Sequence, residues 1–415
     1  MSKTKPFSVS IKIVGDAYKR VKANKGAAGV DEETIEDFEK DLENNLYKIW
    51  NRMSSGSYFP PPVRIVEIPK DETHKRTLGI PTVSDRIAQT VVKIYLEPEL
   101  EAHFHPDSYG YRPNKSAIDA VGTARKRCWR SDWVFDLDIK GFFDNMDHKI
   151  IMELLKKHTD CKWILLYVER WLKAAAQLKD GSLRKREKGT PQGGVISPLL
   201  ANLHLHYAFD EWMREKHPMI PFERYADDAI VHCKSEKQAR YIEMKLKMRL
   251  AEFGLELHPR KTKIVYCKDE DRKGHYPNEK FDFLGYEFRR RRSKNRWGKH
   301  FINFSPAVSK NATKKMYQTL RDWHLHLRSD KSLEDIARMF NPVLQGWINY
   351  YGKYYKSALY PVLRHLDRIL VKWAMRKYKR LRRHQRRATH WLRRIAKKES
   401  NMFAHWKMMN RTMVG

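Results

Sequence analysis

The chain has far fewer acidic than basic residues, it has few cysteines for its length, and it has no long apolar run. Asp and Glu number 50 among 415 residues, against 83 Lys and Arg, so the formal net charge is +33. No apolar run approaches the ~20 residues of a membrane span. No long apolar segment follows the first residues either, so we expect no secretory signal. The four scattered cysteines form no C-x-x-C pair, which favours free thiols in a reducing cytosol over zinc sites or disulfides. So large a positive charge predicts a polyanionic partner, and we expect nucleic acid.

Two adjacent acids, Asp227 and Asp228, lie among strand-forming residues at 222–232. The flanks predict two short strands, and the acids predict the tight turn that joins them. At a hairpin tip the two carboxylates repel each other unless a divalent cation lies between them. Mg²⁺ prefers one or two carboxylates together with substrate phosphates. The alternative is a solvated turn with an accidental pair of aspartates, and the pair alone favours a function only modestly.

A second acidic stretch lies at 133–144, where alternation predicts a strand. Asp136, Asp138 and Lys140 would share one face of that strand. A carboxylate on this face could be the missing partner of Asp227. Polar alternation on an exposed strand is the alternative, and without the other motifs it would be preferred.

Two further segments could contact phosphates. A hairpin predicted at 63–81 carries Lys70 and Arg76 near its tip. Exposed cations on a hairpin are usually a solvated edge, but over a phosphate site they would grip a triphosphate. In the Gly- and Pro-rich segment at 189–198, the need to form a loop accounts for the glycines and prolines. It does not account for Gln192 between them. We expect Ser197 to cap the helix that follows.

The turn at 108–116 has aromatic and cationic residues that suit a nucleic-acid strand. Tyr109 and Arg112 are its candidate contacts. A loop that packs Tyr109 inward is an equally good interpretation. Elsewhere the pattern predicts helices at 8–24 and 31–53 and a single strand at 281–288.

Between residues 63 and 290 the sequence mixes strands and helices without a regular βαβ repeat, which favours an α+β fold with an antiparallel sheet. From about residue 305 it predicts helices only, at 310–328, 332–355 and 358–381. From 372 to 398 there are 13 Lys or Arg and no acid. Aromatic residues interrupt this basic run, and that mixture suits a nucleic-acid surface.

These motifs, in this order, resemble those of bacterial group II intron-encoded reverse transcriptases that also act as maturases. The resemblance covers essentially the whole chain. The Gln-Gly-Gly form and the Gly-Trp-x-Asn-Tyr-Tyr segment separate this family from retrons and diversity-generating elements. The segments that carry the resemblance are RTLGIP (76–81), YGYRP (109–113), DIKGFFD (138–144), TPQGGVISPLLAN (190–202), YADD (225–228), FLGY (283–286) and GWINYY (346–351).

The resemblance implies the right-hand fold of a polymerase. Residues 1–62 would be a helical N-terminal extension that binds RNA, and 63–290 would be the fingers and palm. Residues 291–381 would be an all-α thumb, or maturase X domain. Residues 382–415 would be a short basic DNA-binding region. Longer relatives end in an endonuclease domain, but this sequence stops at Gly415 without one, so we expect no DNA cleavage of its own.

The resemblance also implies the site residues. Asp138, Asp227 and Asp228 would hold two Mg²⁺ ions, for which Mn²⁺ can substitute, and the backbone at Ile139 would add an oxygen ligand. Phe143 would exclude a 2′-hydroxyl, and Lys261 would protonate pyrophosphate. The implied nucleotide-binding residues are Lys70, Arg76, Phe143, Gln192, Ala226 and Lys261. The implied primer and template contacts are Tyr109, Arg112, Phe283, Leu284, Gly285 and Tyr286.

The implied function is RNA-directed DNA polymerisation, combined with binding of a self-splicing intron RNA. Partners would be that RNA, a template–primer duplex, target DNA and deoxynucleotides, in the bacterial cytoplasm with the nucleoid and RNA and away from membranes. A homodimer is compatible with the sequence. One alternative is a splicing cofactor that does not need its polymerase site. Another is a host-adopted reverse transcriptase that serves DNA repair or phage defence.

Overall fold

The computed structural model describes residues 5–69, 75–295 and 297–410. Lys70, predicted to contact the triphosphate, lies outside the described residues.

The chain divides into two compact units. The first comprises Met1–Ala120 and Phe135–Ile264, and the second comprises Val121–Val134 and Val265–Gly415. This division by packing differs from the four segments predicted from the sequence. Those segments are defined by function, and they remain a prediction.

The strands of the described part form three sheets. They are β1 (Val63–Pro69), β2 (Lys75–Ile80), β3 (Trp133–Leu137), β4 (Ala176–Gln177), β5 (Leu183–Arg184), β6 (Phe222–Tyr225), β7 (Asp228–Cys233), β8 (Lys263–Tyr266), β9 (Lys280–Phe283), β10 (Tyr286–Lys294) and β11 (His300–Val308). The strand orders are β2-β1-β4-β5, β6-β7-β3-β8 and β11-β10-β9. β1 and β4 pair in parallel, whereas the hairpins pair antiparallel. The α+β class with antiparallel sheets is confirmed.

Helices make up most of the remaining described chain. They are α1 (Ile11–Asn24), α2 (Ile35–Glu39), α3 (Leu42–Ser55), α4 (Val83–Glu101), α5 (Ala117–Cys128), α6 (Phe142–Asn145), α7 (His148–Lys156), α8 (Lys162–Lys173), α9 (Ser197–Leu205), α10 (Glu211–Lys216), α11 (Glu236–Glu252), α12 (Lys310–Asp322), α13 (Leu333–Tyr351), α14 (Tyr360–Lys377), α15 (Gln385–Lys398) and α16 (Ala404–Asn410). A π-helical turn, His206–Asp210, joins α9 to α10.

In the first unit, α1 packs on α4 and α3 through an apolar stripe at helical spacing, formed by Val14, Ala17, Tyr18 and Val21. The single helix predicted at 31–53 is wrong. It is two helices, α2 and α3, because Asp41 between them has non-helical dihedrals of φ −133° and ψ 50°.

The second unit differs from the sequence prediction in its strands. The stretch at 281–288 is not one strand, because Leu284 and Gly285 turn the chain with φ values of 51° and 79°. β11 was not predicted at all. It lies at the edge of its sheet, where Pro306 removes no needed backbone donor.

The helices of the second unit share one apolar core that includes Leu344, Leu363 and Trp373. The basic stretch after residue 382 contributes to it, since α15 buries Ala388 and Leu392 against α14. This stretch is therefore a packed amphipathic helix, with its cations on the other face. Across the described ranges, every helix is too short or too polar to cross a membrane.

A buried carboxylate organises the middle of the first unit. Asp85 of α4 is 1% exposed and accepts hydrogen bonds from Tyr58 Oη, Trp171 Nε1 and Gln89 Nε2 at 2.9, 2.7 and 2.9 Å. Burial raises the pKa of Asp85 from 3.8 to about 6, and the three donors only partly oppose that rise. Gln89 in turn accepts from the backbone of Val195 at 2.8 Å, so α4 supports the loop before α9.

We predict that Asp85 makes stability fall as the pH rises. Its folded pKa lies above its unfolded pKa, so the folded state binds the extra proton between these values, and the unfolding free energy decreases by about 2 kcal/mol from pH 4 to pH 7. Asp85→Asn removes this dependence. Urea unfolding of both proteins across this range should therefore show the variant gaining on the parent as the pH rises. Parallel curves, like those expected for the exposed control Asp160→Asn, would contradict the assignment.

Candidate active site

The β6–β7 hairpin is present as predicted, but only Asp227 of the acid pair lies in its turn, since Asp228 is the first residue of β7. Tyr225 pairs with Asp228 across the hairpin, so Ala226 and Asp227 form a two-residue turn. Ala226 is buried and has a φ of 56°, which is unusual for a residue with a Cβ. Asp227 is half-buried and Asp228 is exposed. The two carboxylates are therefore at least partly accessible to solvent, whereas the backbone of the turn is constrained on its buried side.

Arg224 supplies that constraint. Its side chain is 1% exposed and binds Asp210 through two hydrogen bonds of 2.7 and 2.5 Å. Its Nη1 also donates to the Ala226 carbonyl and to Asn202 Oδ1, each at 3.1 Å. Burial opposes the ionisation of Asp210, but the guanidinium holds the pKa of that carboxyl below its usual value. Arg224 thus fixes the backbone of the turn from the buried side.

Gly110 closes the network. Asn202 Nδ2 donates to the Gly110 carbonyl at 2.7 Å. A Cβ on Gly110 would meet the Ala226 nitrogen at 2.3 Å, so only glycine permits this approach. Sequence reasoning did not identify Asn202, Asp210 or Arg224. The one signal was a cation three positions before Asp227, which we did not connect with the turn.

The structure places Tyr109 and Arg112 inside the first unit. Tyr109 is 7% exposed. Arg112 forms a bidentate pair with Glu101, with Nη2 2.6 Å from Oε1, and its side chain is 5% exposed. The inward-packing interpretation therefore describes this turn, and neither side chain is presented to a nucleic acid. The exposed aromatic here is Tyr111, which we did not single out.

Asp138 follows the last residue of β3. Its carbonyl accepts a hydrogen bond from the His258 nitrogen at 2.7 Å, and Ile139 forms an isolated antiparallel bridge with Leu257. Its carboxylate lies 3.3 Å from Lys261 Nζ. Lys261 and Asp138 are thus brought together, although 123 positions separate them in the sequence.

The acids of β3 and of the β6–β7 turn lie on neighbouring strands, since β7 and β3 are adjacent. Asp136 of β3 has its pKa raised from 3.8 to about 7, chiefly by burial, and the charges of Asp228 and Asp138 add to the rise. Lys263, 3.6 Å away, opposes it. The electrostatic coupling shows that these carboxylates share one region of the sheet.

The described residues contain no group of three or more His, Cys, Asp or Glu side chains arranged to hold a metal ion. Carboxylates in one region repel each other, and the Asp138 carboxylate is instead paired with Lys261. The donor set is nevertheless all oxygen, which suits a hard divalent cation that shares its coordination with substrate phosphates.

A cavity of about 450 Å³ lies beside the Gly- and Pro-rich loop. Gln192 lines it, together with Thr77 and Gly79. The Gly79 nitrogen donates to the Gln192 carbonyl at 2.8 Å, and a Cβ on Gly193 would meet the Gly79 carbonyl at 2.6 Å. The loop therefore packs directly on the β1–β2 hairpin. Ser197 does not cap α9 as predicted; it is the first residue of that helix, and its hydroxyl bonds Thr190 Oγ1 at 2.8 Å.

Four cations from β5 and the segment after it complete the wall of this cavity, and sequence reasoning missed them. They are Arg184, Lys185, Arg186 and Lys188. Burial lowers the pKa of Arg186, and the neighbouring Arg184 lowers it further. The feature of the sequence that indicates them is the concentration of Lys and Arg at 179–188.

The remaining predicted nucleotide contacts lie in the same unit. Phe143 is half-buried in α6, and its carbonyl accepts from the Thr190 nitrogen at 2.8 Å. Arg76 is exposed on β2, and its charge opposes the rise in the pKa of Tyr111 caused by burial and by Asp227. Arg76 and Asp227 therefore both act electrostatically on Tyr111.

The segment 283–286 belongs to the second unit. Phe283 and Tyr286 are buried, and Tyr350 Oη donates to the Leu284 carbonyl at 2.8 Å. A Cβ on Gly285 would meet Tyr351 Oη at 2.8 Å. These residues form a tight turn packed against α13.

Comparison with known proteins assigns most of the chain. Residues 68–288 match the family model of the reverse transcriptase (RNA-dependent DNA polymerase), and residues 313–409 match the group II intron, maturase-specific domain. The second match crosses the predicted boundary at 381 and includes most of the basic stretch that follows.

Several curated proteins are similar over long segments. The group II intron-encoded protein LtrA of Lactococcus lactis subsp. cremoris is 29% identical over 421 aligned positions, which cover 81% of this chain and 68% of that protein. Protein YkfC of Escherichia coli is 29% identical over 321 positions, covering 68% of this chain and 81% of that protein. Nuclear intron maturase 4 of Arabidopsis thaliana, a mitochondrial protein, is 25% identical over 167 positions, or 40% of this chain and 21% of that protein.

The buried pair behind the turn generates a stability prediction. Asp210→Asn leaves the Arg224 charge buried without its counter-ion, so we expect the unfolding free energy to fall by about 3 to 5 kcal/mol. Glu236→Gln is the control, since its partner Arg240 is 67% exposed and such pairs contribute about 0.5 kcal/mol. Urea unfolding followed by circular dichroism measures both. Similar losses for the two variants would refute the role given to Asp210.

Proposed function

The chain belongs to the reverse transcriptases, the RNA-dependent DNA polymerases, and it carries a group II intron maturase-specific domain; from this premise we propose that Asp138, Asp227 and Asp228 form its polymerase active site. The observation that carries the proposal is the adjacency of β3 and β7, which brings acids 89 and 90 positions apart in sequence into one region. The coupling of Asp136 to both Asp138 and Asp228 supports it.

We propose that these acids bind two Mg²⁺ ions, which Mn²⁺ can replace. Asp138 and Asp227 would be direct ligands, with Asp228 beside them and a backbone oxygen at Ile139. When bound, the ions would lower the pKa of the primer 3′-hydroxyl and stabilise charge on the α-phosphate and the leaving pyrophosphate. The all-oxygen donor set and the half-exposed position of Asp227 support this assignment.

Lys261 has a defined position from which to act. Its ammonium group lies 3.3 Å from Asp138, where it balances part of the negative charge. We propose that it turns to the departing pyrophosphate when substrate is bound and donates a proton to it. An exposed lysine with a flexible stem can make this movement.

We propose that the incoming deoxynucleotide lies between the acids and the cationic cavity. Gln192 and Ala226 would line its pocket, and Arg76 and Lys70 would hold the triphosphate. Phe143 would pack on the deoxyribose and leave no room for a 2′-hydroxyl. Support comes from the contact of the Gln192 loop with the β1–β2 hairpin and from the Phe143 carbonyl, which holds Thr190.

The maturase-specific domain indicates that intron RNA is a partner. We further propose that the helices before residue 63 and the basic face of α15 contact this RNA or target DNA, and that the turn at 283–286 holds the primer end of the template–primer duplex. The net charge of +33 supports nucleic-acid contact over a wide surface, and would keep the protein with RNA and the nucleoid of a bacterial cell.

Asp227→Asn tests the polymerase site. We expect primer extension on an RNA template with Mg²⁺ to fall by more than about 100-fold, because a ligand of the metal ions is lost. Asp160→Asn is the control, since it removes an exposed carboxylate between α7 and α8. RNA binding should be unchanged in both variants. Extension by Asp227→Asn within a few-fold of the parent would exclude Asp227 from the chemistry.

Phe143→Val tests the sugar gate. A smaller side chain leaves space for a 2′-hydroxyl, so ribonucleotide incorporation relative to deoxynucleotide incorporation should rise by at least about 10-fold. The exposed Phe59→Val is the control for loss of a phenyl ring elsewhere. Single-nucleotide extension with each substrate gives the ratio. An unchanged ratio, with deoxynucleotide extension intact, would remove the gate assignment from Phe143.

A further inference from the structure

A larger cavity, of about 830 Å³, lies in the second unit and is lined by residues of that unit alone. We call it the hairpin cavity, because β10 and β11 form one wall and α5 with the segment after α13 forms another. Its volume falls in the range of pockets that hold small ligands. The residues on which its chemistry depends are Arg125, Trp129, Arg292, Lys294, Tyr354 and Tyr355.

Arg125 is the central feature of the hairpin cavity. Its guanidinium lies 4.4 Å from the Trp129 ring centroid and 5.5 Å from the Tyr354 ring centroid. It is half-buried, and within the described chain it makes no hydrogen bond and no ion pair. A guanidinium has five N–H donors in a planar fork that matches phosphate or carboxylate oxygens. These donors are therefore available to an anionic ligand.

The aromatic rings of the hairpin cavity are held in fixed positions. Trp129 Nε1 donates to the Phe304 carbonyl at 3.0 Å, and Tyr355 Oη donates to the Arg292 carbonyl at 3.2 Å. On α5, a Cβ at Gly122 would meet Tyr354 Oη at 2.6 Å, so a glycine is needed for Tyr354 to lie there. Trp129 is nevertheless 42% exposed. Anchored polar ends with an accessible ring make a stacking platform.

The charge at the hairpin cavity is predominantly positive. Arg292 and Lys294 are exposed at its rim. The acid Asp269 is neutralised by Arg272, to which it is hydrogen-bonded and ion-paired. Asp271 is the remaining acid of the lining. Cations therefore outnumber free acids around Arg125, which favours a ligand with phosphate groups.

We propose that the hairpin cavity binds a nucleotide within a single-stranded nucleic acid, with its phosphate on Arg125 and Arg292 and its base against Trp129. Cations interleaved with accessible aromatic rings are the features that bind single strands without a fixed sequence. An acidic peptide would use the cations but not the anchored rings. The inference rests on the nucleic-acid-binding part of the proposed function, and it requires none of the polymerase residues.

Photo-crosslinking tests the proposal on the full chain. An RNA of about 12 nucleotides containing 4-thiouridine is irradiated with the protein at about 0.15 M salt, and peptides are mapped by mass spectrometry. We expect adducts on peptides that contain Trp129, Tyr354 or Tyr355. Arg125→Gln and Trp129→Leu should each lower the yield at these peptides by at least about 10-fold. Thermal unfolding checks that both variants are folded.

Matched variants separate a specific site from general charge. Lys126→Gln removes an exposed cation from the same helix outside the lining, and Trp129→Phe keeps an aromatic ring; both should retain the adduct. If Lys126→Gln lowers the yield as much as Arg125→Gln, or if Arg125→Gln has no effect, the proposal is overturned.

Two further arms define the ligand. A DNA strand that gives the same adduct supports binding of single strands in general. Uridine monophosphate that competes as well as the RNA would show a free-nucleotide site and overturn the assignment to a strand. Asp227→Asn should keep the adduct, so a failure of the polymerase assignment and a failure of this proposal give different results.

Discussion

The buried pair of Arg224 and Asp210 is the interaction on which the acid turn depends. Both side chains are almost completely excluded from solvent, at 1% and 0% exposure. A buried pair by itself is a poor source of stability, because desolvation offsets most of the attraction. Here the guanidinium has further donors, and it uses them on the Ala226 carbonyl and on Asn202. Ala226 keeps a positive φ that costs about 1 kcal/mol or more, which persists only where the surroundings over-determine it. The pair therefore positions the backbone that carries Asp227.

The negative charge of the acids near that turn is only partly balanced by neighbouring cations. Burial and the charges of Asp228 and Asp138 raise the pKa of Asp136, and the ammonium groups of Lys261 and Lys263 lie near Asp138 and Asp136 and balance part of the negative charge. Such a region gains most from a divalent cation. The fold therefore fixes the positions of the acids on two neighbouring strands. The charge at this site would be balanced only when a divalent cation and the substrate phosphates bind.

The acid hairpin was predictable because its determinants are local: strand-forming flanks and a two-residue turn. The inward position of Arg112 was not, since its partner Glu101 lies on another element and leaves no local pattern. Asp210 lies in the π-helical turn between α9 and α10, and no local pattern distinguishes it from a solvated acid until the fold brings Arg224 to it. α15 was recognised as basic, but its burial of Leu392 depends on α14. In each of these cases the structure depends on contacts between residues far apart in the sequence, which local secondary-structure propensity does not reveal.

In the second unit, the segments 283–286 and 346–351 pack on each other. Tyr350 bonds the Leu284 carbonyl, Tyr286 bonds the Tyr350 carbonyl, and Tyr351 occupies the space that a side chain at Gly285 would need. These aromatic side chains hold the turn at 283–286 in place through packing and hydrogen bonds. Tyr354 and Tyr355, which follow in the chain, instead line an accessible cavity. Aromatic residues close together in the sequence therefore have different roles. The rings of Tyr350 and Tyr351 pack against the turn, whereas those of Tyr354 and Tyr355 line the cavity.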